Sequence, residues 1–420
     1  MKWWFNQELY VKIFVCIILG VVLGLTIGAK ISFIMAPIGE IFLRLLKMLI
    51  APVIFFTIVS GITKMEDVNN LKSVGSKLLI YYAVTSLLSV VIGLVMALVI
   101  NPGKDMVGLM QNATKTVKNS DFNFVTNMLS WIPTNPFEAL STANVMQILF
   151  FSLFLGIVLL MLGERAKTVI KLFDEGSEIM LRITDMVMSF APYGILALIS
   201  EMVHSMNAAT LAEVGKFILT DYVALFIILI VVYPLQLKLM AKISTTRFYK
   251  AVSPSILIAA STTSSAATLP VNLSVAEKNL KLPEKIYGFG LTIGATANSN
   301  GMACVLGVII VFAANIFGMN LTLPFIVEFV LVGLLLSMGT AGVKGAGIVL
   351  SSIILQTMNL PLTLVPILAA IWPVIDIGHT TVNVVGDMVG VSIIAARSGE
   401  MDVDGFNNST TDEVTNSRPL

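Results

Sequence analysis

The stretch Ser261-Thr262-Thr263-Ser264-Ser265-Ala266-Ala267-Thr268-Leu269-Pro270 lies between apolar arms within residues 251–273. It is too rich in hydroxyls and helix breakers for a lipid-facing helix, and its flanks are too apolar for a solvated loop. Non-helical backbone at membrane depth survives only where it is buried in protein or lines a wet cavity. The stretch therefore predicts the tip of a re-entrant hairpin. Residues 322–357 repeat the design around Ser337-Met338-Gly339-Thr340-Ala341-Gly342-Val343-Lys344-Gly345-Ala346-Gly347. A long span follows each hairpin. The first holds Gly294-Ala295-Thr296-Ala297-Asn298-Ser299-Asn300-Gly301, where Gly and Asn predict unwinding, and the second holds Asn383-Val384-Val385-Gly386-Asp387. Paired, discontinuous segments of this kind point to the binding site of a secondary transporter.

The rest of the chain agrees with a membrane solvent. Of 420 residues, 56% are hydrophobic and 12% charged, and the mean hydropathy is +0.91. That is outside the balance of a water-soluble domain. Crossing ~30 Å of hydrocarbon takes about 20 apolar residues. Spans are expected near 9–28, 34–62, 78–101, 142–162, 180–203 and 217–240, ahead of the four interrupted blocks 251–273, 285–318, 322–357 and 362–396. The apolar run after Lys2 lacks a small-x-small cleavage site and reads as the first membrane helix.

Lys64, Lys72 and Lys77, then Arg165, Lys167 and Lys171, then Lys238, Lys242, Arg247 and Lys250 mark alternate loops as cytoplasmic, which puts both termini inside an inner (cell) membrane. The polar end from Gly399 to Leu420 reads as disordered. A net charge of +1 gives no footprint for nucleic acid. Cys16 and Cys304 have neither disulfide nor zinc spacing and read as core residues. No cofactor and no nucleophile–base set is indicated, so an enzyme is the weakest reading.

In the last span Asp376, Thr380, Asn383 and Asp387 recur at steps of four, three and four, which stacks them on one helical face. Carboxylates facing lipid are costly, so this face is expected to meet a polar site. Asp387 with Asn298, Asn383 and unwound carbonyls resembles a cage for a small hard cation, sodium or a proton. Asp376 is about 16 Å away along an ideal helix and is expected to answer a different positive group, such as a substrate ammonium. His379 borders the stripe as either a packing residue or a substrate- or proton-handling one. Tyr82, Thr85 and Ser86 share one face of the third span, where back-bonding to their own helix is the favoured reading.

Phe42-Leu43-Arg44-Leu45-Leu46-Lys47-Met48-Leu49-Ile50-Ala51-Pro52, the hairpin ending Thr268-Leu269-Pro270, Gly294 to Asn298, Gly339 to Val343 and Asp376 to Asp387 occur in one order along the chain. The pattern resembles the dicarboxylate/amino acid:cation symporter family. The resemblance implies an all-α integral membrane protein of eight transmembrane helices and two re-entrant hairpins, with inverted repeats, working as a homotrimer in the lipid bilayer by an elevator motion.

Residues 1–76 and 125–210 would form the scaffold. Residues 77–124 and 211–398 would form the transport domain, and 399–420 the cytoplasmic tail. The family's substrate positions correspond to Ser264, Ser265, Met302, Val343, Gly347, Asp376, His379, Thr380 and Asn383. Its cation positions correspond to Gly294, Asn298, Asn383 and Asp387, and to Thr296, Ser337, Met338 and Thr340. A third set corresponds to Tyr82, Thr85, Ser86, Asn298 and Asn300.

Two departures set further expectations. The family's Asn-Met-Asp-Gly-Thr signature stands here as Asn298-Ser299-Asn300-Gly301-Met302, which weakens the third cation set. The arginine that grips a side-chain carboxylate is His379, and the one near the first hairpin tip in some members is Thr263. A histidine of unperturbed pKa near 6.5 is mostly neutral at pH 7. The expected substrate is therefore a neutral or polar amino acid, with cystine among the candidates. An acidic amino acid or C4-dicarboxylate, or obligate exchange, is the alternative.

Overall fold

A computed structural model describes residues 9–63, 72–106, 129, 131–205, 208–338, 346–358, 360 and 362–408. The described chain is all-α and multi-spanning. Its helices are α1 (Leu9–Thr63), α2 (Lys72–Ile100), α3 (Pro136–Ser141), α4 (Val145–Leu162), α5 (Lys167–Ser205), α6 (Ala208–Ile227), α7 (Tyr233–Gln236), α8 (Thr245–Thr262), α9 (Ser265–Lys278), α10 (Glu284–Ala297), α11 (Asn300–Phe317), α12 (Leu323–Met338), α13 (Ala346–Thr357), α14 (Val365–Arg397) and α15 (Val403–Asn408).

Among the described residues, seven stretches are long and apolar enough to cross a membrane: Val11–Gly28, Lys30–Thr63, Gly75–Ile100, Gln147–Glu201, Thr210–Ala241, Glu284–Phe317 and Leu362–Arg397. The first two are halves of α1, which bends at Ile27 (φ −134°, ψ 15°). The fourth contains both α4 and α5, joined by a single 3-10 turn. Apolar side chains such as Leu25, Phe33, Val99, Met161, Leu239 and Leu257 are largely exposed, as lipid-facing residues are without an aqueous phase to avoid.

Helices in lipid associate through close backbone approach at small residues. Gly20, Gly24 and Gly28 of α1 form such a ladder against α5: an added Cβ would stand 2.9 Å from Leu196 O, 2.7 Å from Ser200 O and 2.7 Å from His204 Cβ. α2 and α11 cross at a reciprocal pair of glycines, where a Cβ on Gly93 would lie 2.0 Å from Cys304 O and one on Gly307 would lie 2.3 Å from Val90 O. This crossing buries α11, in which only Asn315 is less than fully buried. Cys16 and Cys304 are buried and unpaired.

α8 and α9 form an antiparallel hairpin, in which Asn279 Nδ2 at the far end of α9 donates to Ala251 O near the start of α8. The turn places Thr263 in the left-handed region (φ 49°, ψ 37°), and Ser264 caps α9 by accepting from Ala267 N. α12 and α13 flank residues 339–345, so the predicted second tip, with Thr340 and Val343, lies outside the described residues.

The expected unwinding occurs between α10 and α11, at Asn298 and Ser299. Its counterpart does not occur. α14 is a continuous helix through Asn383–Asp387, because Asn383 turns its side-chain oxygen to another helix rather than to its own backbone. The end read as disordered from Gly399 instead carries α15, whose Asn407 accepts from Ser244 N and donates to Lys242 O. Residues 409–420 lie outside the described chain.

Candidate functional site

The break between α10 and α11 faces α14. Asn298, which ends α10 in extended backbone (φ −106°, ψ 96°), donates from Nδ2 to Asp387 Oδ1 at 2.8 Å and to Asn383 O at 3.2 Å. Gly301 N, an orphan donor at the start of α11, is capped by Asn383 Oδ1 at 2.7 Å. A Cβ on Gly294 would stand 2.5 Å from Asp387 Oδ1 and 3.0 Å from Tyr82 Oη, so glycine there leaves room for the carboxylate. Gly294, Asn298, Asn383 and Asp387, distant in sequence, are thus neighbours. Asp387 is completely buried, and its Oδ2 and Asn298 Oδ1 have no hydrogen-bond partner. Two buried, partnerless hard oxygens, one from a carboxylate, suit a small cation or a proton.

The other cation sets differ. Asn300 Oδ1 accepts from Ser86 Oγ at 3.0 Å, Asn300 Nδ2 donates to Tyr233 Oη at 2.8 Å, and Tyr233 Oη donates to Val382 O at 2.9 Å. The amide that replaces an acid is therefore satisfied within the protein. Thr85 back-bonds to Tyr81 O, as its spacing predicts, while Tyr82 and Ser86 reach across to Gly290 O and Asn300. Of the second set, Ser337 Oγ is turned to Leu334 O and Thr296 is exposed with Oγ1 on Ile293 O. Met338 ends α12. Among the described residues no group of three or more His, Cys, Asp or Glu side chains is placed to hold a metal ion.

On the α14 stripe Asp376, Thr380 and Asn383 are buried together with His379. Ser264, Ser265 and Met302 are also buried. His379 Nε2 pairs at 2.8 Å with Asp221 Oδ2 of α6. The indole of Trp372, one turn before Asp376, has its centroid 5.5 Å from the imidazole. Gly347 accommodates that indole, since a Cβ there would lie 1.6 Å from Trp372 Cζ2.

Asp221, Tyr233 and Trp372 escaped the sequence reading. Asp221 carried a usable signal, an acid inside an apolar span. Tyr233 carried none, because its inward position follows from the π-helical turns Ile228–Val232 and Leu237–Ala241 on either side of α7, which shift the face a residue presents.

A multi-pass membrane protein with such a buried polar cage is a solute carrier in form, and sequence comparison gives the family. The sodium:dicarboxylate symporter family model matches residues 9–397. Similar proteins include the proton/glutamate-aspartate symporter of Bacillus subtilis (30% identical, covering 86% of this chain and 88% of the relative). The C4-dicarboxylate transport protein of the same organism is 29% identical over 88% of each chain. The proton/sodium-glutamate symport protein of Bacillus caldotenax is 28% identical, covering 88% and 89%. The chain belongs to the sodium:dicarboxylate symporter family, whose members are secondary transporters rather than enzymes.

The expectation of a neutral or polar substrate is overturned. The relatives are named for glutamate, aspartate and C4-dicarboxylates, with an L-cystine uptake protein beside them. That expectation treated His379 as an isolated imidazole, whereas the side chain is held by a carboxylate.

Proposed function

We propose that this chain is a cation-coupled secondary symporter that concentrates an acidic amino acid or a C4-dicarboxylate. The observation that carries the reading is the pair of buried, partnerless oxygens at the α10–α11 break, Asp387 Oδ2 and Asn298 Oδ1. An ionised carboxylate without compensation is expensive in a low-dielectric interior. A sodium ion bound there, or a proton on the carboxyl, removes that cost, and coupling follows if the substrate site closes only when the cost has been removed. The acidic class is supported by the relatives' names.

In this reading α4 and α5 are separate spans, and with α1 counted twice the chain has eight, together with the hairpins α8–α9 and α12–α13. Spans one, two, four and five form a static scaffold. The third and sixth spans, both hairpins and the last two spans form the part that moves as an elevator, in a homotrimer with both termini cytoplasmic. The glycine ladder between α1 and α5 supports a rigid scaffold. The substrate sits between the hairpin tips near Ser264 and Ser265 and the stripe of α14, with Asp376 facing the ammonium of an amino acid and Thr380 and Asn383 its carboxylate.

Uptake of labelled aspartate and succinate into proteoliposomes, driven separately by sodium and by proton gradients, tests this. Accumulation above equilibrium under one gradient, inhibited by acidic but not by neutral amino acids, is expected. Binding without accumulation under either gradient contradicts it.

A further inference from the structure

His379 and Asp221 are both completely buried. Their contact uses only one polar atom of each: His379 Nδ1 and Asp221 Oδ1 have no hydrogen-bond partner, and neither has Trp372 Nε1 on the adjoining ring. A carboxylate and an imidazole removed from water are least costly as a net-neutral pair. Neutrality is reached in two ways, as imidazolium facing carboxylate or as a carboxylic acid donating to Nε2. In both net-neutral forms Nδ1 carries hydrogen and is a donor; a neutral imidazole donating Nε2–H to an ionised carboxylate would make Nδ1 an acceptor, but it leaves an uncompensated buried charge. Indole Nε1 is a donor by its chemistry. Two buried ring N–H groups on neighbouring rings, both without acceptors, suit an acceptor that enters the site.

We propose that Asp221 and Trp372 determine the preference for a carboxylate-bearing side chain, a proposal that rests on the acidic-substrate reading above. Asp221 is a positioning residue: it fixes the imidazole and forces Nδ1 to be a donor. Trp372 Nε1 supplies the second donor. The substrate's side-chain carboxylate takes both, while Asp376, about 4.5 Å along the helix from His379, answers the ammonium. Because the Asp221–His379 pair is neutral as a whole, Asp221 does not repel the incoming anion. Gly347 is part of the arrangement, because only a residue without Cβ leaves room for the indole.

The test is calorimetric binding of aspartate and asparagine to the purified full chain and to the Asp221→Asn and Trp372→Phe variants, in sodium-containing buffer at one pH. An amide at 221 either donates to or accepts from Nε2, so it no longer compels Nδ1 to carry hydrogen. Each variant is expected to lower the aspartate-over-asparagine affinity ratio by about tenfold or more, the weight of one hydrogen bond to a charged acceptor. A permanent donor added as His379→Arg in the Asp221→Asn background is expected to restore the ratio, which a merely structural role for Asp221 does not predict.

Folded variants with the parental ratio overturn the proposal. Trp372→Phe, which keeps an aromatic ring but removes the indole N–H, decides alone if Asp221→Asn does not fold. A parent chain that binds neither aspartate, glutamate nor succinate overturns the functional reading and this proposal with it. A parent that binds them while the variants keep its ratio overturns this proposal only.

Discussion

Asn298 Nδ2 lies 2.8 Å from Asp387 Oδ1, and this bond closes the gap between the broken α10–α11 segment and the continuous α14. Asp387 Oδ2 and Asn298 Oδ1, the side-chain oxygens this bond does not use, are both buried without a partner. Asn298→Ala removes the donor and leaves both Asp387 oxygens unsatisfied, which costs about 1–3 kcal/mol. A lower thermal unfolding midpoint is expected, together with a smaller rise on adding the coupling cation than in the parent.

Asn300 occupies a saturated chain from Ser86 to Tyr233. Asn300→Asp places a carboxylate in that buried chain with no cation beside it. The variant is expected to be less stable than the parent in choline chloride and to recover part of the loss in sodium chloride. An identical unfolding midpoint in the two salts contradicts the claim that the amide alone keeps this site from needing a cation.

Thr263 turns the first hairpin in the left-handed region at φ 49°, where a β-branched residue is strained. Thr263→Gly relieves that strain and is expected to stabilise the fold by about 1 kcal/mol, read as a raised unfolding midpoint in detergent.

The hairpin was legible because its hydroxyl-rich tip contradicts its apolar arms, and the α14 stripe because its steps of three and four match the helical repeat. The cage of Gly294, Asn298, Asn383 and Asp387 was legible through resemblance to a family rather than through spacing. What the sequence hid depends on tertiary contact. Asp221 lies 158 positions from His379, so nothing local marks the pair, and reading His379 alone led to the wrong substrate class. The continuity of α14 was hidden too, since Asn383 and Gly386 look like breakers. There the Asn383 side chain caps α11, and Gly386 makes room for Tyr233 Oη, 2.5 Å from where its Cβ would be.

α15 is tied to the end of the π-helical segment by two hydrogen bonds from one side chain, Asn407, and Lys285 pairs with Glu400 at 2.6 Å. Asn407→Ala is expected to weaken that docking by about 1–3 kcal/mol, two hydrogen bonds of ordinary strength. Limited proteolysis should cut within 399–408 faster than in the parent, with the rest of the chain cleaved at the parental rate.

The central claim is that the buried Asp387 carboxylate carries the coupling cation. Asp387→Asn keeps the size of the side chain and removes the charge, so it separates coupling from packing. Labelled aspartate uptake by proteoliposomes under the gradient that drives the parent is the direct measurement. The expected result is that the variant no longer concentrates substrate above the external level and no longer responds to the gradient. A variant that concentrates aspartate to the parental level under that gradient contradicts the account.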